Sequence, residues 1–411
     1  MKPYVIIGNG TAAASCIEGI RSVDKETPIT VVSEEKRPVY CRPLISYYLE
    51  GKTDLQRIQY RPDDFYEKNG CTVLYGAKAV RLDHEAKEVA LDDGRVLAYE
   101  KLCVAAGSSP FVPPMEGLDL VKNKQTFLTL DDALALEQRL TEDSRVLIVG
   151  AGLIGLKCAE GILARVKSVT VCDLATRVLS SILDDVCAAR MQQHLEAQGM
   201  RFLLGDTAAR FDANTAYMKS GAEVPFDVLV LAVGVRANTA LVKDCGGKTE
   251  RGIVVDERMQ TSLPDVYAAG DCAQGYDISA EQSRVLAVLP NANLQGRCAG
   301  VNMAGGDAVF DNAIPMNAIG FFGLHALSAG ADRGGTCYEE NDEAHLKRLF
   351  IKDGVLTGFI LIGDTARAGI YTSLIRNRTP LDTLDFDRLK ETPTTAAFSA
   401  EQRKQFFGGV V

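Results

Sequence analysis

Arg145-Val146-Leu147-Ile148-Val149-Gly150-Ala151-Gly152-Leu153-Ile154-Gly155 is the stretch on which the fold turns. An apolar run that reads as a buried strand ends in G-x-G-x-x-G, and Cys158, Ala159 and Ile162 continue it as a helix. Gly150 permits a tight turn, Gly152 lets the backbone approach a pyrophosphate, and Gly155 keeps helix and strand close. The helix start, at Leu153 and Ile154, offers its free N–H groups to the phosphates. The next strand, Ser168-Val169-Thr170-Val171-Cys172, ends in Asp173, where a dinucleotide's ribose is read.

Working outward, the same design stands at the N-terminus as Tyr4-Val5-Ile6-Ile7-Gly8-Asn9-Gly10-Thr11-Ala12-Ala13-Ala14. Gly8 serves the turn and Gly10 the phosphate approach. Thr11 and Ala12 open the helix, and Ala13 takes the helix-packing place. A strand over Ile29-Thr30-Val31-Val32 leads to Ser33-Glu34-Glu35, so Glu34 or Glu35 can accept from ribose hydroxyls. Alone, this motif also reads as a plain glycine turn. Two such motifs in register with two βαβ units point instead to a flavoprotein that exchanges hydride with a nicotinamide. The carboxylate at Asp173 bonds a free 2′-hydroxyl and repels a 2′-phosphate, which favours NADH over NADPH. Arg177, four residues on, would soften that repulsion.

A length of 411 residues suggests two or three domains, and 46% hydrophobic with 24% charged residues is ordinary for a globular enzyme. A formal charge of -9 argues against a nucleic-acid partner. No apolar run approaches the roughly 18 residues a membrane span needs. Met-Lys-Pro leads at once into a strand, so no signal peptide is expected. The eleven cysteines are scattered, and none makes C-x-x-C, so no disulfide framework, zinc site or iron–sulfur cassette is read. A reducing, cytoplasmic compartment is expected. His84, His194, His325 and His345 show no metal-ligand spacing, so no metal site is expected.

Two further stretches carry a family likeness. Tyr99-Glu100-Lys101-Leu102-Cys103-Val104-Ala105-Ala106-Gly107-Ser108-Ser109-Pro110 resembles the crossing from a flavin domain to a nicotinamide domain. Thr261-Ser262-Leu263-Pro264-Asp265-Val266-Tyr267-Ala268-Ala269-Gly270-Asp271 resembles the second FAD motif of the pyridine-nucleotide-disulfide oxidoreductase superfamily. Within it the chain is most similar to NADH:rubredoxin oxidoreductases and the flavin modules of nitrite reductases. Pro38 to Leu49, Gln295 to Gly306 and Gly369 to Ile375 carry that narrower likeness. The resemblance implies that Asp271 accepts from the flavin's ribityl chain. It implies that Arg42 and Pro43 lie against the flavin, and that the backbone near Val80 holds the adenine. Ala106, Gly107 and Gly234 join the implied cofactor-binding set.

The expected fold is α/β: two Rossmann-like dinucleotide-binding domains, for FAD and NAD, plus a small α+β C-terminal domain. Motif order places the FAD domain at 1–111 and 237–312, the NAD domain at 112–236, the C-terminal domain at 313–375 and a tail at 376–411. Asp353-Gly354 signals a hairpin. Ser399 to Phe407 reads as a helix with Ser399 as N-cap and Gly408-Gly409 as stop. Phe321-Phe322-Gly323-Leu324 is expected to pack between the C-terminal and FAD domains.

Many members of the superfamily carry a redox disulfide beside the flavin, as Cys-x4-Cys or Cys-x2-Cys, and this sequence has neither. Two roles stand for Cys41. One is a catalytic thiol, as in coenzyme A disulfide reductases and NADH oxidases, with Arg42 lowering its pKa. The other is a bystander. Relatives place a lysine after Arg-Pro-x-Leu-Ser and a glutamate two residues past the last glycine of the NAD motif; here Tyr47 and Lys157 stand there. Lys157 is therefore the candidate catalytic residue, holding charge by the flavin, unless it is a surface lysine paired with Glu160.

The leading function is transfer of hydride from NADH to FAD and of electrons to a protein carrier: rubredoxin, ferredoxin or an iron–sulfur subunit. A thiol-dependent enzyme using Cys41 and a nucleotide-binding flavoprotein scaffold are the alternatives. The tail, with Phe406 and Phe407, docks on the chain's own body or grips a partner, either the electron acceptor or a second copy in a homo-oligomer. Acidic carriers would require a local basic patch on this acidic chain.

Overall fold

The computed structural model describes residues 2–407, the last three as backbone only. The chain opens with β1 (Tyr4–Ile7), α1 (Thr11–Val23), β2 (Ile29–Ser33), α2 (Ile45–Leu49), β3 (Cys71–Tyr75) and β4 (Leu102–Val104). It then builds β5 (Lys124–Thr126), α3 (Leu130–Glu137), β6 (Arg145–Val149), α4 (Leu153–Ile162), β7 (Ser168–Asp173), α5 (Asp185–Ala197), β8 (Arg201–Leu204) and β9 (Val228–Leu231). It returns to the first sheet with β10 (Val266–Ala268) and α6 (Leu289–Met303).

The first sheet has the order β10-β4-β1-β2-β3 and the second β8-β7-β6-β9-β5. Every pairing in both is parallel. In each sheet the central strand carries the glycine motif, with two strands on either side. β1 is buried along its whole length and β6 along all but its first residue, as parallel strands covered on both faces are. Each unit also carries a three-stranded antiparallel meander: Ala79–Asp83 with Glu88–Leu91 and Val96–Ala98, and Ala208–Phe211 with Thr215–Met218 and Glu223–Pro225. The two crossings between units, Ser108–Pro110 and Val235–Ala237, pair with each other antiparallel.

The last sheet, β11 (Met316–Phe321), β12 (Leu324–Gly330), β13 (Thr336–Asn341), β14 (Leu346–Lys352) and β15 (Val355–Ile362), is antiparallel in the order β11-β12-β15-β14-β13. Asp353 and Gly354 join β14 to β15 with φ of 52° and 73°, the left-handed pair a two-residue hairpin requires. α7 (Gly369–Arg376) lays Tyr371, Leu374 and Ile375 on this sheet. The segment after Arg376 stays on the same body. Leu381, Leu389, Ala397 and Phe398 share a core with Leu349, Phe359 and Tyr371. Lys347 Nζ donates to the carbonyls of Lys390 and Glu391 at the end of α8 (Phe386–Glu391). α9 (Ala400–Phe407) begins with a reciprocal cap: Ser399 Oγ accepts the Gln402 amide at 3.2 Å and Gln402 Oε1 accepts the Ser399 amide at 2.9 Å. The side chains of Phe406 and Phe407, and the Gly408-Gly409 stop, lie outside the described residues. Among the described residues no helix is long and apolar enough to cross a membrane.

Candidate active site

Both glycine motifs form the same cradle. Gly8 and Gly150 have φ of +110° and +120°, and a Cβ on them would lie 2.1 and 2.2 Å from the carbonyl oxygens of Ala105 and Ala232. No residue with a side chain fits either turn. In front of Gly10 and Gly152 a Cβ would meet nothing within 4 Å, so each loop leaves space for a ligand. α1 and α4 start at these glycines, and no side chain caps either helix. Their first N–H groups thus face open cradles, with Thr11, Ala12 and Ala13 on one and Leu153 and Ile154 on the other. Those features fit two pyrophosphates. A Cβ on Gly155 would lie 2.0 Å from the Gly150 carbonyl oxygen, whereas the first cradle tolerates the buried Ala13 at the matching place.

Asp271 follows β10 and comes to face the crossing: Ser108 Oγ donates to its carboxylate at 3.2 Å. Burial pushes the Asp271 carboxyl above its usual range, opposed by the Ser108 bond and by Arg42. A buried acceptor of this kind suits a ligand hydroxyl. Asn238 secures the crossing, donating to the Ala106 carbonyl at 2.8 Å and accepting from Ser109 Oγ at 2.7 Å, while its amide binds the Gly107 carbonyl at 3.0 Å. Gly234 holds the equivalent place after β9 and accepts the Phe111 amide at 2.9 Å. Ser108 and Asn238 went unread in the sequence, because a partner far along the chain leaves no local pattern.

The two acids after β2 divide. Glu34 is exposed and pairs with Lys78 at 3.1 Å, whereas Glu35 is paired with Arg42 and accepts from Tyr40 Oη at 2.7 Å. Tyr40 Oη in turn accepts the Leu130 amide at 2.9 Å, so this network reaches the start of α3. Pro43 sits in the short 3-10 turn Arg42–Leu44. Val80, on the first meander, is 53% exposed.

At the second cradle, the Asp173 carboxylate accepts the amides of Ala151 at 2.7 Å and Ala175 at 2.8 Å, which seats it beside the glycine loop. Arg177 turns away. Its guanidinium pairs with Asp185 at 2.8 Å and also donates to the Leu183 and Ser180 carbonyls. The softening of repulsion expected from Arg177 is therefore absent from this arrangement.

Lys157 does pair with Glu160, at 2.6 Å, but not on an exposed face: their side chains are 15% and 4% exposed. The ammonium lies 5.0 Å from the Tyr47 ring centroid and 4.6 Å from that of Phe321, and donates to the Gly320 carbonyl. The Phe321-Phe322 turn therefore docks on the helices of the second unit as well as on the first, whose Ile45 and Leu49 share a core with Phe321. Lys157, Glu160 and His194 are what the turn's backbone groups meet there.

Residues 2–296 match the pyridine nucleotide-disulphide oxidoreductase family, and residues 315–379 match the rubredoxin NAD+ reductase C-terminal domain. The chain belongs to the pyridine nucleotide-disulphide oxidoreductase family. It is an FAD-dependent NAD(P)H oxidoreductase. It is 35% identical over 395 residues to subunit epsilon of an NADH-dependent phenylglyoxylate dehydrogenase from Aromatoleum evansii, covering 93% of each chain. It is 32% identical to the assimilatory nitrate reductase electron transfer subunit of Bacillus subtilis (strain 168), over 91% of this chain and 49% of that one, so it spans about half that relative's length. Putidaredoxin reductase, in its covalent complex with putidaredoxin, shares the fold with a TM-score of 0.88 at 23% identity, over 96% of this chain and 99% of that one.

Cys41 stands beside Arg42 without being activated by it. Burial pushes the Cys41 thiol up, and Arg42 does not offset it, because the guanidinium is spent on Glu35 and the Leu128 carbonyl. The pKa-lowering expected from that neighbour is corrected by this pairing. Among the described residues, no three His, Cys, Asp or Glu side chains gather to hold a metal ion.

Proposed function

We propose that this oxidoreductase takes hydride from NADH onto FAD and hands the electrons to a protein carrier, a small iron–sulfur protein or an iron–sulfur subunit of a larger complex. The observation that carries the reading is the pairing of two open glycine cradles with a Cys41 thiol that burial pushes up and that the Arg42 guanidinium, turned to Glu35, does not activate. FAD, when bound, supplies the conversion of a two-electron donor into single-electron steps. The residues of this chain would bind and orient. Gly8, Gly10, Thr11, Ala12 and Ala13 would hold the FAD pyrophosphate, Glu34 the ribose, the Val80 backbone the adenine, and Asp271 the ribityl chain. Ala106, Gly107, Arg42 and Pro43 would border the flavin, with Arg42 fixed by Glu35. Gly150, Gly152, Leu153, Ile154, Gly155, Asp173 and Gly234 would hold NADH.

The relatives support a protein acceptor, one being a subunit of an NADH-dependent dehydrogenase and another an electron transfer subunit. All eleven cysteines are free, which supports a reducing, cytoplasmic compartment. The test is steady-state NADH oxidation with a panel of acceptors. Turnover with one-electron dyes and iron–sulfur proteins is expected. Turnover confined to coenzyme A disulfide or oxygen, and lost in Cys41→Ser, would select the thiol-dependent alternative.

A further inference from the structure

Both carboxylate oxygens of Glu160 are engaged: one accepts Lys157 Nζ at 2.6 Å, the other the backbone N–H of Phe322 at 2.9 Å. Lys157 Nζ also donates to the Gly320 carbonyl, and His194 Nε2 lies 2.9 Å from the Phe321 carbonyl. A carbonyl only accepts, so His194 carries a proton on Nε2. Three polar backbone groups of one hairpin turn are therefore each bound by a side chain of the nicotinamide-side unit. That turn is also strained. With Gly323 at φ +88°, Phe322 at +46° forms the left-handed pair of a two-residue hairpin, a place that a bulky residue takes only at a cost.

The node gathers three parts of the chain. Tyr47 comes from α2, just after the Arg42-Pro43 turn; Lys157 and Glu160 come from α4, which begins at the Gly152 cradle; Phe321 and Phe322 close the hairpin between β11 and β12. A buried ion pair is a poor source of stability unless its remaining bonds are filled. Here they are filled by the backbone of another unit and by two aromatic faces, an arrangement that specifies position.

We propose that Lys157, Glu160 and His194 are positioning residues. They lock the C-terminal hairpin turn onto the helix of the nicotinamide cradle and hold Tyr47 and Phe321 as one rigid wall at this seam, so that the nicotinamide docks in a single reactive register. The inference rests on the hydride-transfer reading above.

Anaerobic stopped-flow reduction of the FAD-loaded protein by NADH tests it, with the limiting rate and the NADH dissociation constant resolved separately, alongside FAD content and thermal midpoint. Lys157→Met should lower the limiting rate by about 10- to 100-fold, the scale expected of a small misplacement at a reacting pair, with FAD content unchanged. Lys157→Arg should recover part of that loss. His194→Leu, on the separate helix α5, gives a second and independent reading if Lys157→Met does not fold. It should slow reduction, while His194→Gln, which keeps a donor, should restore it. Limiting rates equal to the parent in Lys157→Met, or in His194→Leu where the former does not fold, would overturn the proposal, whatever the thermal midpoint does. Failure of NADH to reduce the parent protein's flavin would instead sink the underlying hydride-transfer reading.

Discussion

The carboxylate of Asp173 accepts the backbone N–H of Ala151 at 2.7 Å, which fixes an acid beside the second glycine loop. A 2′-phosphate arriving there would meet that charge with Arg177 turned to Asp185. NADH is therefore expected to reduce the flavin faster than NADPH, and Asp173→Ala should narrow the gap. Asp185→Asn, which frees Arg177 without touching the cradle, should narrow it less. Equal rates for the two nucleotides in the parent protein would refute this assignment.

Asp271 links cofactor retention to stability. Removing it by Asp271→Ala should weaken FAD binding by about 1–3 kcal/mol, the cost of stranding a buried partner. Its carboxyl is raised above the usual range by burial, so the folded protein holds the proton more tightly than the unfolded chain. That contribution is present in acid and lost as pH rises through the folded pKa. Flavin-free Asp271→Asn should thus melt higher than the parent at neutral pH, with the difference shrinking in mild acid. A difference that grows on acidification would show the sign to be wrong.

Cys41→Ser should leave NADH-driven dye reduction within a few-fold of the parent, because partial burial pushes the half-buried thiol up rather than activating it. Steady-state assays with dye and with coenzyme A disulfide measure this directly.

Much of this architecture was legible because its signals are local. Gly8, Gly150 and Asp353-Gly354 occupy backbone conformations that glycine or a turn residue announces, and β1 and β6 are continuous apolar runs. The paired meanders were not read: their strands are short, mostly half-exposed and carry no strong period. The docking of Phe321-Phe322 was legible only in part: Phe321 shares a core with Ile45 and Leu49 of the first unit, but the side chains that bind the turn's backbone come from the second. Two aromatics declare that they will be buried, but the partners that decide where, Lys157, Glu160 and His194, lie over a hundred residues away. Glu160 was read as the partner of Lys157 from its spacing alone; that the pair is buried, and what else it binds, is tertiary information.

The C-terminal segment separates into two parts. Deleting residues 392–411 removes Phe398 and Ala397 from the core of the last sheet, and the Phe398 burial alone is worth roughly 1.5–3 kcal/mol. Deleting only 400–411 leaves that core intact and should change stability by less than about 1 kcal/mol. Urea unfolding of the two truncations distinguishes them. If the shorter deletion keeps FAD and dye activity but loses transfer to the natural carrier, the terminal helix is a partner contact.

The central claim is that NADH electrons enter through FAD and leave without a thiol. Its most direct test is anaerobic titration of the purified FAD-loaded protein with NADH, followed by mixing with an oxidised iron–sulfur protein, in the parent and in Cys41→Ser. Bleaching of the flavin by about one equivalent of NADH is expected, the count a two-electron transfer to one FAD requires. Reoxidation by the carrier should then proceed at similar rates in both proteins. A flavin that NADH leaves oxidised, or reoxidation that disappears with the Cys41 thiol, would contradict the account.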